Sequence, residues 1–127
     1  CRLRHQAGAK RTALHTLAQF YRLAPTGWYM QLVGTSGNLD RAIELSREAV
    51  ALQPVRIEYR KELAVELFCR GGESDVAEAI AELETAGSIP GITRIDRIDQ
   101  QHAREFLRRP PGGICYYSRD AFQESAS

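Results

Sequence analysis

The amino-acid sequence predicts an all-α fold, a short α–α superhelix of two helical hairpins flanked by an N-terminal and a C-terminal helix. Three observations predict this fold. Between clusters of Gly and Pro, apolar residues recur at spacings of three and four, which is typical of amphipathic helices. No segment alternates convincingly between apolar and polar residues, as a half-buried strand does. Two segments also resemble one another at an offset of 35 residues, from Gly37 to Gly72, which is typical of a helical array.

The composition is that of an ordinary globular protein. The chain has 127 residues, of which 43% are hydrophobic and 26% are charged, and this length suits a single domain. The composition excludes collagen, a disordered low-complexity chain and a disulfide-dense toxin. No uninterrupted apolar stretch is long enough for a transmembrane helix, so we expect no transmembrane segment.

The helical patterns follow one another along the chain. Leu14, Leu17, Ala18 and Tyr21 share one face of the N-terminal helix, which we predict over residues 10–23. The next patterns predict helices over residues 39–52, 56–70, 74–86 and 93–109. Gly71 supplies the left-handed residue that ends a helix, and Thr93 can cap the next one.

The remaining apolar stretches are less regular. The apolar run from Trp28 to Val33 is too short to assign. Residues 114–117 are the best strand candidate, although a lone strand has no partner.

The two similar segments share Gly, Asp and Ala at the same spacing. The matched residues are Gly37, Asp40 and Ala42 in the first segment and Gly72, Asp75 and Ala77 in the second. A small Ala near the start of a helix lets another helix approach closely. We therefore expect both Ala residues to be buried at helix crossings and both Gly residues to lie in equivalent turns. A single hairpin cannot bury both of its faces, so the two units must stack.

The segment 37–45, followed by Ala49 and Pro54, resembles the second helix of a tetratricopeptide repeat. In the second unit, Glu84 occupies a position that is usually small in this family, and Pro90 comes one residue late. The helix that begins at Ala13 and breaks at residues 25–27 is similar to the regulator-of-microtubule-dynamics-like group of that family. The resemblance covers about residues 10–109, with a basic segment 1–9 before it and a Pro- and Gly-rich tail 110–127 after it.

The resemblance implies a concave groove lined by the first helix of each unit. In the second unit it places Tyr59, Glu62, Glu66, Cys69 and Arg70 toward this groove, as tentative peptide-binding residues. Such a stripe suits a peptide with basic and apolar groups, and both carboxylates are then expected at the surface. Together with Glu58, the two carboxylates form a row that is also compatible with a solvated face or a cation site.

The predicted function is therefore a non-catalytic protein-interaction module, a scaffold or adaptor that binds a protein or peptide segment. The alternative is a structural subunit that self-associates as a homo-oligomer or fills its own groove with its C-terminal tail. That tail contains Tyr116, Tyr117 and Phe122. No catalytic, phosphate-binding or metal-binding motif is present, so we expect no enzymatic activity, no cofactor and no metal site.

Charge is unevenly distributed along the chain. Residues 1–39 contain Arg and Lys but no carboxylate, whereas residues 40–90 contain 11 acidic and 6 basic residues. We interpret this as an acidic helical face that meets a basic neighbour within one fold or dimer. A basic segment that contacts nucleic acid or anionic lipid is the alternative. No nucleic-acid-binding motif accompanies it, so no nucleic-acid partner is expected.

The three cysteines, Cys1, Cys69 and Cys115, are odd in number and widely spaced. This pattern does not indicate a disulfide framework, and Cys69 is expected to be a small buried apolar residue. A chain that begins with Cys is compatible with lipoprotein-type processing before Cys1 as well as with a fragment. A soluble, cytoplasmic location is the favoured expectation.

Overall fold

The all-α class is confirmed. A computed structural model describes residues 13–19, 22, 36–110, 112–119 and 122, and none of these residues lies in a strand. Residues 13–19 are helical. The helices that follow are α1 (Ser36–Leu52), α2 (Ile57–Arg70), α3 (Glu73–Ser88) and α4 (Arg94–Arg108), and a 3₁₀ turn spans Ile114–Tyr116. The best strand candidate, residues 114–117, thus contains a 3₁₀ turn and no strand. The segment 1–9, the break at 25–27 and the apolar run that begins at Trp28 lie outside the described residues.

The ends of the helices follow local chemistry. Gly71 has a φ of 76° and donates its N–H to the carbonyl of Leu67, which ends α2 as predicted. At the start of α4, the Thr93 hydroxyl accepts from the N–H of Asp96 at 3.0 Å, and the Asp96 carboxylate accepts from the N–H of Thr93 at 3.2 Å. This reciprocal pair is a capping box, which satisfies two backbone donors at once.

Helix α2 lies at the centre of the fold. It packs against α1, α3, α4 and the 3₁₀ turn, and residues 61–67 are all buried. Seven consecutive residues make nearly two helical turns, so neighbours cover every side of α2 along this stretch. The charged residues of this stretch are buried as a consequence, so they must find polar partners within the fold. None of the helices that the structure describes is long and apolar enough to cross a membrane.

The two similar segments are not structurally equivalent at the predicted positions. Gly37 lies within the first turn of α1, whereas Gly72 precedes α3 as its N-cap residue. Ala42 is fully buried, as predicted, but Ala77 is exposed, so that part of the prediction is wrong. The buried alanines of α3 are Ala79 and Ala86, and Ala79 lies at an offset of 37 residues from Ala42. The buried alanines therefore align α1 with α3 at a different offset from the 35 residues that the shared Gly, Asp and Ala indicate.

Overpacking distinguishes these alanines experimentally. We expect Ala42→Leu to lower the free energy of unfolding by about 1–3 kcal/mol, because a fully buried site has no room for three added carbons. Ala77→Leu is the matched control and should change the free energy by less than about 0.5 kcal/mol, since its side chain faces solvent. Urea denaturation of the two variants measures both values. Equal losses would contradict the packing of α1 described here.

Candidate functional site

We give the name C-terminal segment to residues 112–119 and 122, which come after α4. It lies against α2 and α4 and is joined to α2 by a disulfide between Cys69 and Cys115. The expectation that Cys69 is an unpaired apolar residue is therefore wrong. The two cysteines are 46 residues apart in sequence, and spacing alone cannot give the pairing.

Tyr117 anchors the C-terminal segment in a buried polar cluster. The Nζ of Lys61 donates to Asp99 Oδ1 at 2.6 Å and to the Tyr117 hydroxyl at 2.7 Å. The same hydroxyl lies 2.7 Å from Nδ1 of His102. Burial lowers the pKa of Lys61 against the opposing effect of Asp99, and burial raises the pKa of Tyr117. The phenol therefore stays protonated and accepts a hydrogen bond from Lys61.

Arg119 makes the second polar anchor. Its Nε lies 2.8 Å from Asp99 Oδ1, and its Nη2 lies 2.9 Å from Glu58 Oε1. Glu58 also lies 3.0 Å from Nε2 of His15 in the N-terminal helical residues. The hydrogen bond from His15, assisted by the nearby Arg119 guanidinium, lowers the pKa of Glu58 to about 2. Glu58 is thus ionised at neutral pH and joins the two ends of the described chain.

Phe122 makes the apolar anchor of the segment. Its ring centroid lies 4.6 Å from that of His102 and 5.3 Å from that of Phe106, both on α4. The ring of Tyr117 packs edge-on against Phe106 at 5.0 Å. Edge-to-face arrangements of this kind add to the stabilisation that burial provides.

Arg22 covers the other side of the buried stretch of α2. Its Nε and Nη2 donate to the two carboxylate oxygens of Glu62 at 2.5 and 2.9 Å, and its Nη1 donates to the carbonyl of Cys115 at 3.0 Å. Burial acts to raise the pKa of Glu62, but the Arg22 hydrogen bond and charge outweigh it and lower that pKa. This buried pair confirms that the acidic middle of the chain meets its basic N-terminal part within one fold.

Glu66 has the most unusual environment of the carboxyl groups. The Ser46 hydroxyl donates to its Oε2 at 2.8 Å, whereas its buried Oε1 has no hydrogen-bond donor. Burial, reinforced by the neighbouring Glu62, raises the pKa of Glu66 to about 11. Glu66 is therefore protonated at neutral pH. Its hydroxyl can then donate to the Glu62 carboxylate, which gives Oε1 a partner.

A comparison of the chain with protein-family models, with curated proteins and with solved structures finds no match. The resemblance to the tetratricopeptide repeat thus stays a prediction.

The structure distributes the five predicted groove residues over different environments. Tyr59 is buried, with its ring centroid 4.8 Å from that of His15. The expectation that Glu62 and Glu66 lie at the surface is wrong, because only 1% and 0% of their areas are exposed. Their partners, Arg22 and Ser46, are distant in sequence, and for that reason the row of carboxylates resembled a solvated face.

The other two predicted residues lie at the end of α2. Cys69 is half-buried and forms the disulfide. Arg70 is exposed and donates to both oxygens of Asp75 at 2.9 and 2.6 Å and to Asp40 at 3.0 Å. The predicted stripe is thus covered over most of its length by the chain's own residues, and its role in peptide binding stays a prediction.

The sequence-based prediction did not select Lys61 or Asp99. A signal for Asp99 was present, because it lies four residues after Ile95 and three before His102, on the buried side of α4. Lys61 lies four residues after the buried Ile57. A charged residue at an apolar position of a helical pattern indicates a buried ion pair, since such residues are rarely buried unless paired.

Two concave regions border the C-terminal segment. A cavity of about 250 Å³ is lined by polar side chains, among them Lys61, Ser118 and Arg119. A larger groove of about 860 Å³ lies between the α1–α2 and α3–α4 connections and includes the exposed Val55, Ile92 and Ile95. Grouped apolar residues at a surface are typical of interaction sites. Among the described residues, no group of three or more His, Cys, Asp and Glu is arranged to hold a metal ion.

Proposed function

We propose that this chain is a non-catalytic protein-interaction module of the tetratricopeptide type. In this proposal, the face formed by α2 and α4 binds a polypeptide segment. The chain's own C-terminal segment fills that site. The predicted alternative, in which the C-terminal tail fills the groove, thus corresponds to the closed state of a binding module.

The observation that carries the proposal is the way in which the C-terminal segment is held. Four groups of this segment each contact a different place on the protein. They are the main-chain carbonyl of Cys115, the phenol of Tyr117, the guanidinium of Arg119 and the aromatic ring of Phe122. Grooves recognise bound segments through polar and apolar anchors of this kind.

The occupied site favours a module that is closed by its own tail over a groove that is permanently open. A permanently open groove would leave Asp99 and Lys61 in contact with water. Here their side chains are 0% and 4% exposed. The closed state is thus the stable one, and an external segment must compete with the tail. The guanidinium of Arg119 and the rings of Tyr117 and Phe122 are groups of the kind that the sequence predicts in a bound peptide.

A non-catalytic role agrees with the electrostatics of the cluster. Perturbed pKa values often mark catalytic groups, but ion-pair networks perturb them as well. Three of the groups with shifted pKa values, Lys61, Glu62 and Tyr117, each form hydrogen bonds to other buried side chains. Their shifts therefore have a structural cause.

A peptide-binding experiment tests the proposal. The receptor is the full chain with Cys115→Ser, Tyr117→Ala and Arg119→Ala, which weaken the tail without altering α2 or α4. The probe is a fluorescent peptide of residues 112–122 with Ser in place of Cys115. We expect saturable binding by fluorescence anisotropy. Arg119→Gln in the peptide should weaken binding at least about tenfold, because it removes the charged hydrogen bonds to Asp99 and Glu58.

The matched control is a peptide of the same composition in scrambled order, which should not bind. Circular dichroism verifies that the receptor keeps its helices. A folded receptor that does not distinguish the two peptides would show that the face of α2 and α4 does not bind segments, and the proposal would be wrong.

A further inference from the structure

We propose that the disulfide between Cys69 and Cys115 is a latch, and that its reduction by a dithiol opens the site to a partner segment with a defined pattern. The pattern is a tyrosine, an arginine two residues later and an aromatic residue three residues after that. This inference rests on the proposed function, since it specifies the partner and the regulation of the same site.

The position of the disulfide suits a latch. Cys69 is the second-last residue of α2, and Cys115 lies in the 3₁₀ turn only two residues before Tyr117. The other attachments of the C-terminal segment are non-covalent. With the disulfide closed, the anchors are held beside their partners at a high effective concentration, and an external peptide cannot displace them. Both cysteines are half-buried, so a reductant can reach them.

The connection between α4 and the 3₁₀ turn is suited to movement. Residues Arg109, Pro110, Gly112 and Gly113 are exposed between α4 and the 3₁₀ turn. Gly113 has a φ of 72°, a conformation that glycine adopts without strain. Once the disulfide is broken, this connection is the covalent tie that remains between the C-terminal segment and the helices, beside the non-covalent anchors. The segment can then leave α2 while the helices stay in place.

The chemistry of opening is a thiol–disulfide exchange. A thiolate of the dithiol attacks one sulfur of the disulfide, the S–S bond breaks, and a mixed disulfide forms while the other protein sulfur leaves as a thiolate. The second thiol of the reductant then attacks the mixed disulfide and releases the second protein sulfur. Two electrons pass to the protein, both protein thiolates take up protons, and the reductant becomes a cyclic disulfide.

The groups beneath the C-terminal segment define what a partner must supply. Lys61 and His102 need a hydroxyl between them, and Tyr117 provides it. Asp99 and Glu58 need a guanidinium, and Arg119 provides it. The rings of His102 and Phe106 need an aromatic side chain, as Phe122 shows. The spacing of Tyr117, Arg119 and Phe122 gives the proposed pattern.

The experiment uses the unmodified full chain and the fluorescent peptide of residues 112–122 with Ser in place of Cys115. Binding is measured by anisotropy with the chain oxidised and after dithiothreitol treatment. We expect affinity to rise about tenfold or more on reduction, because only the oxidised chain holds its own segment against α2 through a covalent bond. Full-length Cys115→Ser should bind equally with and without dithiothreitol. Tyr117→Phe in the peptide should weaken its binding to the reduced chain.

Each outcome decides between the two proposals. Equal binding to the oxidised and reduced chains would overturn the latch but leave the proposed function intact. Loss of helicity on reduction, seen by circular dichroism, would also overturn the latch, because the disulfide would then hold the fold itself together. If neither the reduced chain nor the receptor with the weakened tail binds the peptide, the proposed function fails, and the latch fails with it.

Discussion

Asp99→Ala is expected to lower the free energy of unfolding by about 3–5 kcal/mol. The side chains of Asp99 and Lys61 are 0% and 4% exposed, and Oδ1 of Asp99 lies 2.6 Å from Nζ of Lys61. Removal of the carboxylate leaves a buried ammonium group without its counter-charge, and this is what makes the loss of one partner in a buried pair costly. The same change also removes the main acceptor of Arg119. Urea denaturation measures the loss directly.

An exposed ion pair provides the control for Asp99→Ala. Arg41 and Glu44 on α1 are 54% and 66% exposed and form a pair at 3.1 Å. Glu44→Ala should change the free energy of unfolding by less than about 1 kcal/mol, because water replaces the lost interaction. The double change Lys61→Met with Asp99→Leu should recover much of the stability, since it leaves no buried charge unpaired. Similar losses of unfolding free energy for Asp99→Ala and Glu44→Ala would contradict the burial of the Lys61–Asp99 pair.

Glu66→Gln is expected to raise the free energy of unfolding by about 2–3 kcal/mol at neutral pH. The folded chain holds Glu66 protonated, with a pKa of about 11 against an ordinary value of 4.5. The unfolded chain releases that proton above about pH 4.5, so the contribution of Glu66 to stability is fully present below that pH and falls as pH rises. Glutamine needs no proton. Its amide can donate to Glu62 while its carbonyl accepts from Ser46.

The pH dependence distinguishes this effect from a change in packing. The advantage of Glu66→Gln should be near zero at about pH 4.5 and should grow steadily toward about pH 8. Unfolding measured at several pH values gives this difference, from which titrations common to both chains cancel. Glu84→Gln, at an exposed position of α3, should show no such trend. A pH-independent difference for Glu66→Gln would show that Glu66 is ionised in the folded chain.

The helices and their ends could be predicted because they depend on neighbouring residues. Apolar spacing placed α2 over 56–70 against the observed Ile57–Arg70. Gly71 and Thr93 end and begin helices through contacts within four residues. These are properties of a few adjacent residues, which the sequence alone contains.

The environment expected for the carboxylates of α2 is wrong, because Glu62 and Glu66 are buried. The resemblance to the tetratricopeptide repeat places Tyr59, Glu62 and Glu66 toward an open groove, and carboxylates in a helical row are usually solvated. Arg22 lies 40 residues before Glu62 in the chain and Ser46 lies 20 residues before Glu66, and these distant groups cover the helix. The expected burial of Ala77 was also wrong, because helix packing selects Ala79 instead.

The sequence by itself determined the helical class and the ends of the helices at Gly71 and Thr93. Both follow from the spacing and chemistry of neighbouring residues. Only the tertiary structure decided that Cys69 pairs with Cys115, that Glu66 keeps its proton and that the C-terminal segment occupies the face of α2. The physical reason is that bond formation and desolvation depend on which distant groups packing brings together, and no local pattern encodes those distances.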